Sequence, residues 1–363
     1  VPSCRENPTG PSVAALACIM RTAEMRSLAG CLVALLLLTF APSARPIPAA
    51  VPPTGFGFST GSAWEYSTVA EIDREFDAIA RTGASWLRIL IDWNRVEPTK
   101  GHFEFGKLDA IVASAQRHQL SLLGLIAYTA QWARPPGSFF TSYPSDPTTF
   151  ATFATVVVDR YRDRISRWEI WNEPNLPQFT GLNAAGGDAY ATLLKATYPA
   201  IKALQPNSTV VAAGLSRSLG TAAPPAFLQQ MYAAGAHGFF DAAAAHPYVF
   251  PAGIGADPEH GWSDVERMHE VMAAYGDGEK AIWFTELGAP TNDPAHGGLS
   301  QEAQAEQIAD VLAAAAMTPY SGPAFIYGIR DIDTTDTLDR EMNFGALLTS
   351  DWRPKFAATT LAR

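Results

Sequence analysis

"RWEIWNEPN", residues 167–175, decides how the rest of the chain is read. Its first five residues, Arg167 to Trp171, alternate bulky apolar and charged side chains at the two-residue period of a strand. The run then stops at Asn172, Glu173 and Pro174. Proline cannot continue a central strand, so the strand ends there and leaves a carboxylate at its C-terminal tip. Strand parity places Glu169, Trp171 and Glu173 on one face, barring a bulge. Glu169 is then a structural carboxylate that needs a barrel arginine or lysine as partner.

Similar short apolar runs recur on both sides, each followed by a longer amphipathic stretch. Residues 55–59, 85–93, 120–128, 167–171, 209–216, 239–248, 281–286 and 324–330 read as eight strands. Helical spacing follows the first strand at Val69, Ile72, Phe76 and Ile79, opened by a Thr68/Glu71 capping box and closed by Gly83. Another helix opens at Asp146 with Pro147 in its first position. Further helices are expected near 187–203, 224–234, 262–275 and 301–315, with a last short one in the tail from Pro354. Eight strands alternating with helices imply an α/β fold, a single-domain (β/α)8 TIM barrel over residues 55–363. A doubly wound open sheet would want a glycine-rich turn running straight into a helix. "GFGFSTG" after position 54 does not offer one.

The first 44 residues have another character. Met25 and Arg26 precede "LAGCLVALLLLTF" (28–40) and the small residues of "APSAR". A short basic region, a 13-residue apolar run and a cleavage-type end form a signal-peptide pattern. The run is shorter than the roughly 20 residues of a membrane span. The chain opens on Val1, so residues 1–44 are read as a signal peptide with an over-extended N-terminus, Met20 and Met25 being alternative starts. A retained N-terminal anchor at the cell envelope is the competing reading. Residues 45–54 are Pro/Ala-rich and read as a linker. The three cysteines, at 4, 18 and 31, all fall before it, which leaves the mature chain no disulfide, thiol nucleophile or cysteine metal site.

The 363 residues are 47% hydrophobic and carry a formal charge of −10. An acidic chain without basic clusters argues against nucleic acid and against a polybasic membrane surface as partners. Histidines lack ligand spacing, so no catalytic metal and no cofactor are expected. The mature domain is expected to be a monomer off the membrane.

In a barrel of this kind chemistry gathers at the C-terminal strand ends. Those ends supply Glu173 and Asn172 from strand four, Glu286 from "WFTELGAP" in strand seven, Arg88 and Trp93 from strand two, His246 and Tyr248 from strand six, and Tyr327 from strand eight. Two glutamates facing each other across a barrel mouth are what glycoside hydrolysis requires. One protonates the leaving oxygen, and the other attacks the anomeric carbon or activates water. Flat aromatic faces accept the C–H surface of a sugar, which makes Trp93, Tyr128, Trp132, Trp171, Trp262 and Tyr327 candidate platforms.

"WNEPN" (171–175) and "FTELG" (284–288) resemble the two signatures of clan A glycoside hydrolases, retaining (β/α)8 enzymes. "RILIDW" (88–93), "RVEPTKGHFEF" (95–105) and "HPY" (246–248) resemble further motifs of that clan. Residues 330–358, with "E.NFG" and "PK.A", are similar to the ending of single-domain bacterial polysaccharide hydrolases of family 39, and cellulase-like family 5 enzymes are the neighbouring resemblance. The resemblance implies Glu173 as acid/base, Glu286 as nucleophile, Asn172 on the sugar 2-hydroxyl, Arg88 and Tyr248 on the nucleophile, and His246 lining the site. Many clan members carry a tryptophan on strand eight, where "FIYGIRD" (325–331) offers Tyr327. The implied function is that of a secreted retaining β-glycosidase acting on a polysaccharide or oligosaccharide. A transglycosylase on the same two glutamates, or a non-catalytic carbohydrate-binding barrel, is the alternative. Sugar, linkage and endo or exo action depend on loop shape and have no counterpart in the motifs.

Overall fold

The computed structural model describes residues 50–362, apart from 61–63, 65, 66 and 185. The expected signal peptide, the alternative starts and the first half of the linker lie outside the described residues. Among those described, eight parallel strands close into a barrel in chain order, with the first strand paired to the last through Phe56–Ala324 to Ser59–Tyr327.

The elements run β1 (Phe56–Ser59), α1 (Val69–Ala80), β2 (Trp86–Asp92), α2 (Trp93–Val96), α3 (Gly106–Arg117), β3 (Ser121–Ala127), α4 (Pro147–Tyr161), β4 (Arg167–Ile170), α5 (Gly187–Leu204) and β5 (Thr209–Ser216). They continue with α6 (Pro224–Ala233), β6 (Ala242–His246), α7 (Ser263–Ala274), β7 (Ile282–Leu287), α8 (Gln301–Met317), β8 (Ser321–Tyr327) and α9 (Phe356–Thr360). The two helix starts marked by side-chain caps form as expected. Thr68 and Glu71 exchange their side-chain-to-backbone bonds, and Asp146 accepts from the Thr148 amide at 2.9 Å. α3 carries a buried stripe at Leu108, Ile111, Val112 and Ala115 that the strand pattern did not single out. β8 starts three residues earlier than its apolar run, because Pro323 sits inside it and masks the pattern. β6 is shorter than expected, starting at Ala242 rather than residue 239.

The barrel interior is layered, and the layers follow from the two-residue period of each strand. Near the N-terminal end Leu123, Val211, Ala242, Ala244, Trp283 and Phe325 form one apolar cluster, with Trp86 packed against it. Trp86 and Trp283 meet edge to face at 5.6 Å. Two residues further along, the same faces present Arg88 after Trp86, Thr285 after Trp283, His246 after Ala244 and Tyr327 after Phe325. An apolar plug thus carries a polar layer directly on top of it. The second apolar shell lies outside the barrel, where Trp93, Trp168, Tyr161, Phe150 and Phe153 are fully buried between strands and helices.

Candidate active site

Arg88 is the hub of the polar layer. Its Nε donates to Glu169 Oε2 at 2.6 Å and its Nη2 to Glu169 Oε1 at 3.2 Å. Nη1 donates to Glu286 Oε1 at 2.7 Å and to Ser59 Oγ at 3.1 Å, and Nη2 also reaches Asn172 Oδ1 at 2.8 Å. A guanidinium with its donors in a fixed fork suits this multi-sided task, which an ammonium would not fill. Burial opposes its charge, yet Glu169 and Glu286 outweigh burial and hold Arg88 above the ordinary arginine range. Glu169 is therefore the barrel-interior partner of an arginine, as its position in the strand suggested.

The parity expected for β4 breaks after Ile170. The strand ends there, and Trp171 and Glu173 both adopt left-handed backbone, with φ of 74° and 41°. Trp171 turns outward, packs on Tyr143 and Phe150, and donates its indole N–H to Phe179 O at 2.8 Å. Glu173 turns back over the barrel mouth, its amide donating to Gly214 O at 3.2 Å. A non-glycine residue at such φ costs on the order of 1 kcal/mol or more, so two so close together mark a strand end held by its surroundings.

Glu286 reaches the same space from β7. In a regular strand Thr285 and Glu286 would face opposite sides, but the β7–β8 register shifts between Phe284 and Leu287. Both side chains consequently meet His246: Thr285 Oγ1 lies 3.0 Å from Nε2, and Glu286 Oε2 lies 3.6 Å from Nδ1. Tyr248 donates its hydroxyl to Glu286 Oε2 at 2.7 Å. Burial works against ionisation of Glu286, but His246, Arg88 and the Tyr248 hydroxyl prevail and keep its pKa below the usual glutamate value of 4.5. His246 Nδ1 also touches Glu173 Oε1 at 2.7 Å. Burial would lower the His246 pKa; the charge of Glu286 and the contact with Glu173 reverse this and raise it.

One carboxylate oxygen of Glu173 and one of Glu286 come within 4.8 Å of each other, with a His246 nitrogen in the same group. Three such atoms could in principle gather round a cation. Here Arg88 already supplies the positive charge, 2.7 Å from Glu286.

The cleft above these groups has a volume of about 750 Å³. Of the residues singled out in the sequence, Arg88, Asn172, Glu173, Tyr248, Glu286, Tyr128 and Tyr327 line it, and His246 lies directly beneath, fully buried. Trp93 and Trp132 sit elsewhere. Trp93 starts α2 and points between the strands and α4, stacked on Phe153 at 5.2 Å and edge-on to Trp132 at 5.5 Å. Its indole donates to Glu97 at 2.7 Å, and Glu97 in turn ties down the Gly101 amide at 2.7 Å, so this tryptophan anchors the following loop. Trp132 donates to Glu97 O at 3.1 Å within that same cluster. Trp262 is packed on Phe284 at 5.2 Å.

The cleft walls also contain Phe140, Arg217, Phe250, Glu259, Glu341 and Phe344; Arg217 directly follows β5, a strand end not singled out in the sequence, and the others lie in loops beyond the strand ends. Arg217 donates to Tyr248 O and Phe250 O and pairs with Glu259 at 3.0 Å, tying the loops after β5 and β6 together. Glu341 and Phe344 belong to the "E.NFG" stretch, which the sequence singled out only through its resemblance to the ending of family 39 enzymes. The acidic run after β8 is structural: Asp331 is buried against Lys355 at 3.1 Å, while Asp333 and Asp336 cap backbone amides of their own turn.

No protein-family profile and no curated sequence matches the chain. Solved structures do match. A family 39 glycoside hydrolase from Bacteroides cellulosilyticus WH2 aligns at TM-score 0.66 and 24% identity, over 88% of this chain and 65% of its own, so the chain spans just under two thirds of that protein. A GH5_18 protein from Streptomyces cattleya, crystallised with GlcNAc, aligns at TM-score 0.62 and 17% identity over 86% of this chain and 79% of its own. Xylanase 10B from Thermotoga maritima aligns at TM-score 0.60 and 13% identity over 86% of this chain and 94% of its own. At these identities the likeness is one of fold: the chain shares the (β/α)8 barrel of these glycoside hydrolases.

Proposed function

We propose that the protein is a retaining β-glycoside hydrolase acting on a polysaccharide or oligosaccharide, with Glu286 as nucleophile and Glu173 as acid/base. The observation that carries this reading is the approach of the two carboxylates to within 4.8 Å, on opposite strand ends of one cleft. Retaining pairs stand roughly 5–5.5 Å apart, whereas inverting pairs stand roughly 6.5–9.5 Å apart to admit a water between them.

The surroundings divide the roles. Glu286 accepts from Arg88 on one oxygen and from Tyr248 on the other, which favours the ionised form a nucleophile needs. Glu173 faces a ring nitrogen of His246, which can exchange a proton with it. In the first half-reaction Glu286 forms a bond to the anomeric carbon while the glycosidic C–O bond breaks and Glu173 supplies the proton to the leaving oxygen. Esterified Glu286 is neutral, which removes a negative charge from beside Glu173. In the second half Glu173 takes a proton from water, and the water oxygen displaces Glu286 with the original configuration restored. Asn172, whose carbonyl oxygen is held by Arg88, keeps its amide N–H groups as donors for a sugar hydroxyl.

The similar structures support the carbohydrate class, since they are described as glycoside hydrolases and two kinds of sugar, GlcNAc and Manβ1-4GlcNAc, were bound in relatives of that fold. Export through the N-terminal segment is part of the same reading, because a polysaccharide too large to be taken up must be cut outside the cell. No helix among the described residues is long and apolar enough to cross a membrane. A panel of glycans digested by the full chain, with product analysis and Glu173→Gln as control, tests the proposal. Cleavage by the wild type that drops steeply in the variant is expected. Equal product from both, or no cleavage of any glycan in the panel, would contradict it.

A further inference from the structure

His246 does not stand alone beneath Glu173; it is the third member of a buried hydrogen-bonded chain that begins at Glu169. Glu169 Oε1 receives the Gly214 amide at 3.0 Å and Arg88 Nη2 at 3.2 Å, and Oε2 receives Arg88 Nε at 2.6 Å. These partners can only donate, so Glu169 acts as the acceptor throughout. Its remaining contact is Thr285 Oγ1 at 3.0 Å, and the single hydroxyl hydrogen of Thr285 goes there. The Thr285 oxygen is then left with lone pairs alone toward His246 Nε2, also at 3.0 Å, and Nε2 must carry the proton. The pocket is built around this contact. A Cβ on Gly214 would stand 2.0 Å from His246 Nε2 and 2.6 Å from Thr285 Oγ1, so only glycine admits the imidazole here.

With Nε2 occupied, the 2.7 Å contact between Nδ1 and Glu173 Oε1 is satisfied only when it holds a second proton, on one side or the other. We propose that Glu169, acting through Thr285, is a positioning residue that fixes the proton on His246 Nε2 and thereby keeps the acid proton shared between His246 and Glu173. This rests on the reading of Glu173 as the acid/base. The other charged and titratable groups around the imidazole are Arg88 from β2, Glu286 from β7 and Tyr248 from the loop just after β6, and Gly214 from β5 adds no charge. Without the Thr285 acceptor, a neutral His246 could carry its one hydrogen on Nδ1 and donate to a Glu173 carboxylate. The pair would then be satisfied with one proton fewer and would surrender it at lower pH. In turnover the proton passes from the pair to the leaving oxygen as the glycosidic bond breaks, and returns from the attacking water; no other reactant is required.

The test compares wild type, Thr285→Val and Thr285→Ser as full chains. Imidazole ¹⁵N NMR reads the proton on His246 directly, its signal assigned by loss in His246→Asn, and needs no substrate. The expected result is a protonated Nε2 in wild type and in Thr285→Ser, and a neutral, Nδ1-protonated ring in Thr285→Val at the same pH. On any cleaved glycoside, the alkaline limb of kcat/KM in Thr285→Val should move down by about 1 pH unit, with Thr285→Ser restoring it. An Nε2 without a proton in the wild type would overturn the proposal, as would a Thr285→Val ring unchanged from wild type. Absence of glycoside cleavage with the expected NMR pattern would instead reject the acid/base reading and leave the proton chain standing.

Discussion

The Tyr248 hydroxyl donates to Glu286 Oε2 at 2.7 Å, on the oxygen opposite the one that Arg88 holds. A hydrogen bond to a charged group is worth about 1.5–3 kcal/mol. Replacing Tyr248 with Phe removes that donor with little change of shape. Glycosylation, read as kcat/KM on an activated aryl glycoside, should slow roughly 10- to 100-fold. A change under about twofold would mean that the hydroxyl does not serve the nucleophile.

The pH profile follows from the same contacts. Burial disfavours the Glu286 charge, and His246, Arg88 and Tyr248 more than compensate, so its pKa in the folded chain lies below 4.5. The sign is that of a depressed carboxylate: the ionised form, and the stability it contributes, are fully present above the unfolded value and are lost as pH falls through the folded one. The acidic limb of kcat/KM should therefore lie below pH 4.5 in the wild type and move upward in Tyr248→Phe, which loses one of the supporting donors. A limb above that value in the wild type would contradict this placement of charge.

The aromatic residues divide by location. Trp93 is fully buried behind the barrel wall, so Trp93→Ala should cost about 3–5 kcal/mol of stability by denaturant titration. Tyr327 lines the cleft, edge-on to Phe344 at 5.4 Å, and Tyr327→Ala should raise KM several-fold with a smaller loss of stability. The opposite pattern, a stability-neutral Trp93→Ala with raised KM, would place the platform at Trp93.

Those two residues also show where the sequence stops being informative. Both sit at strand ends and both are aromatic. One turns outward because α2 begins at position 93, and no periodicity at a strand end announces that. Glu173 and Glu286 stood out because each closes an apolar strand run, Glu173 just before Pro174 and Glu286 two residues before Gly288. Glu169 was legible as a buried partner because its charge sits inside an apolar strand, between Trp168 and Ile170. Its reach to His246 was not, since it depends on the β7 register shift that brings Thr285 and Glu286 to one side. The cleft walls after β3, β5, β6 and β8 come from loops whose mutual approach is non-local, as in Arg217 with Glu259. Strand order and barrel closure were readable because eight repeats of one pattern leave little topological freedom.

Lys355 and Asp331 form a fully buried pair at 3.1 Å, with Thr291 and Thr334 as further partners. Removing one member strands the other charge. Lys355→Met should therefore destabilise the fold by about 3–5 kcal/mol, and the double variant Asp331→Asn with Lys355→Met should recover part of it. Urea unfolding measures both, and a loss below about 1 kcal/mol in the single variant would show that the pair is not needed.

The central claim is that Glu286 attacks the sugar while Glu173 handles the proton. The most direct measurement is anion rescue of Glu286→Ala on an aryl β-glycoside that the wild type cleaves, with the product anomer read by proton NMR. Wild type should give the β-product first, Glu286→Ala should be inactive, and azide should restore turnover as the α-glycosyl azide. Full activity of Glu286→Ala without azide, or an inverted first product from the wild type, would contradict the account.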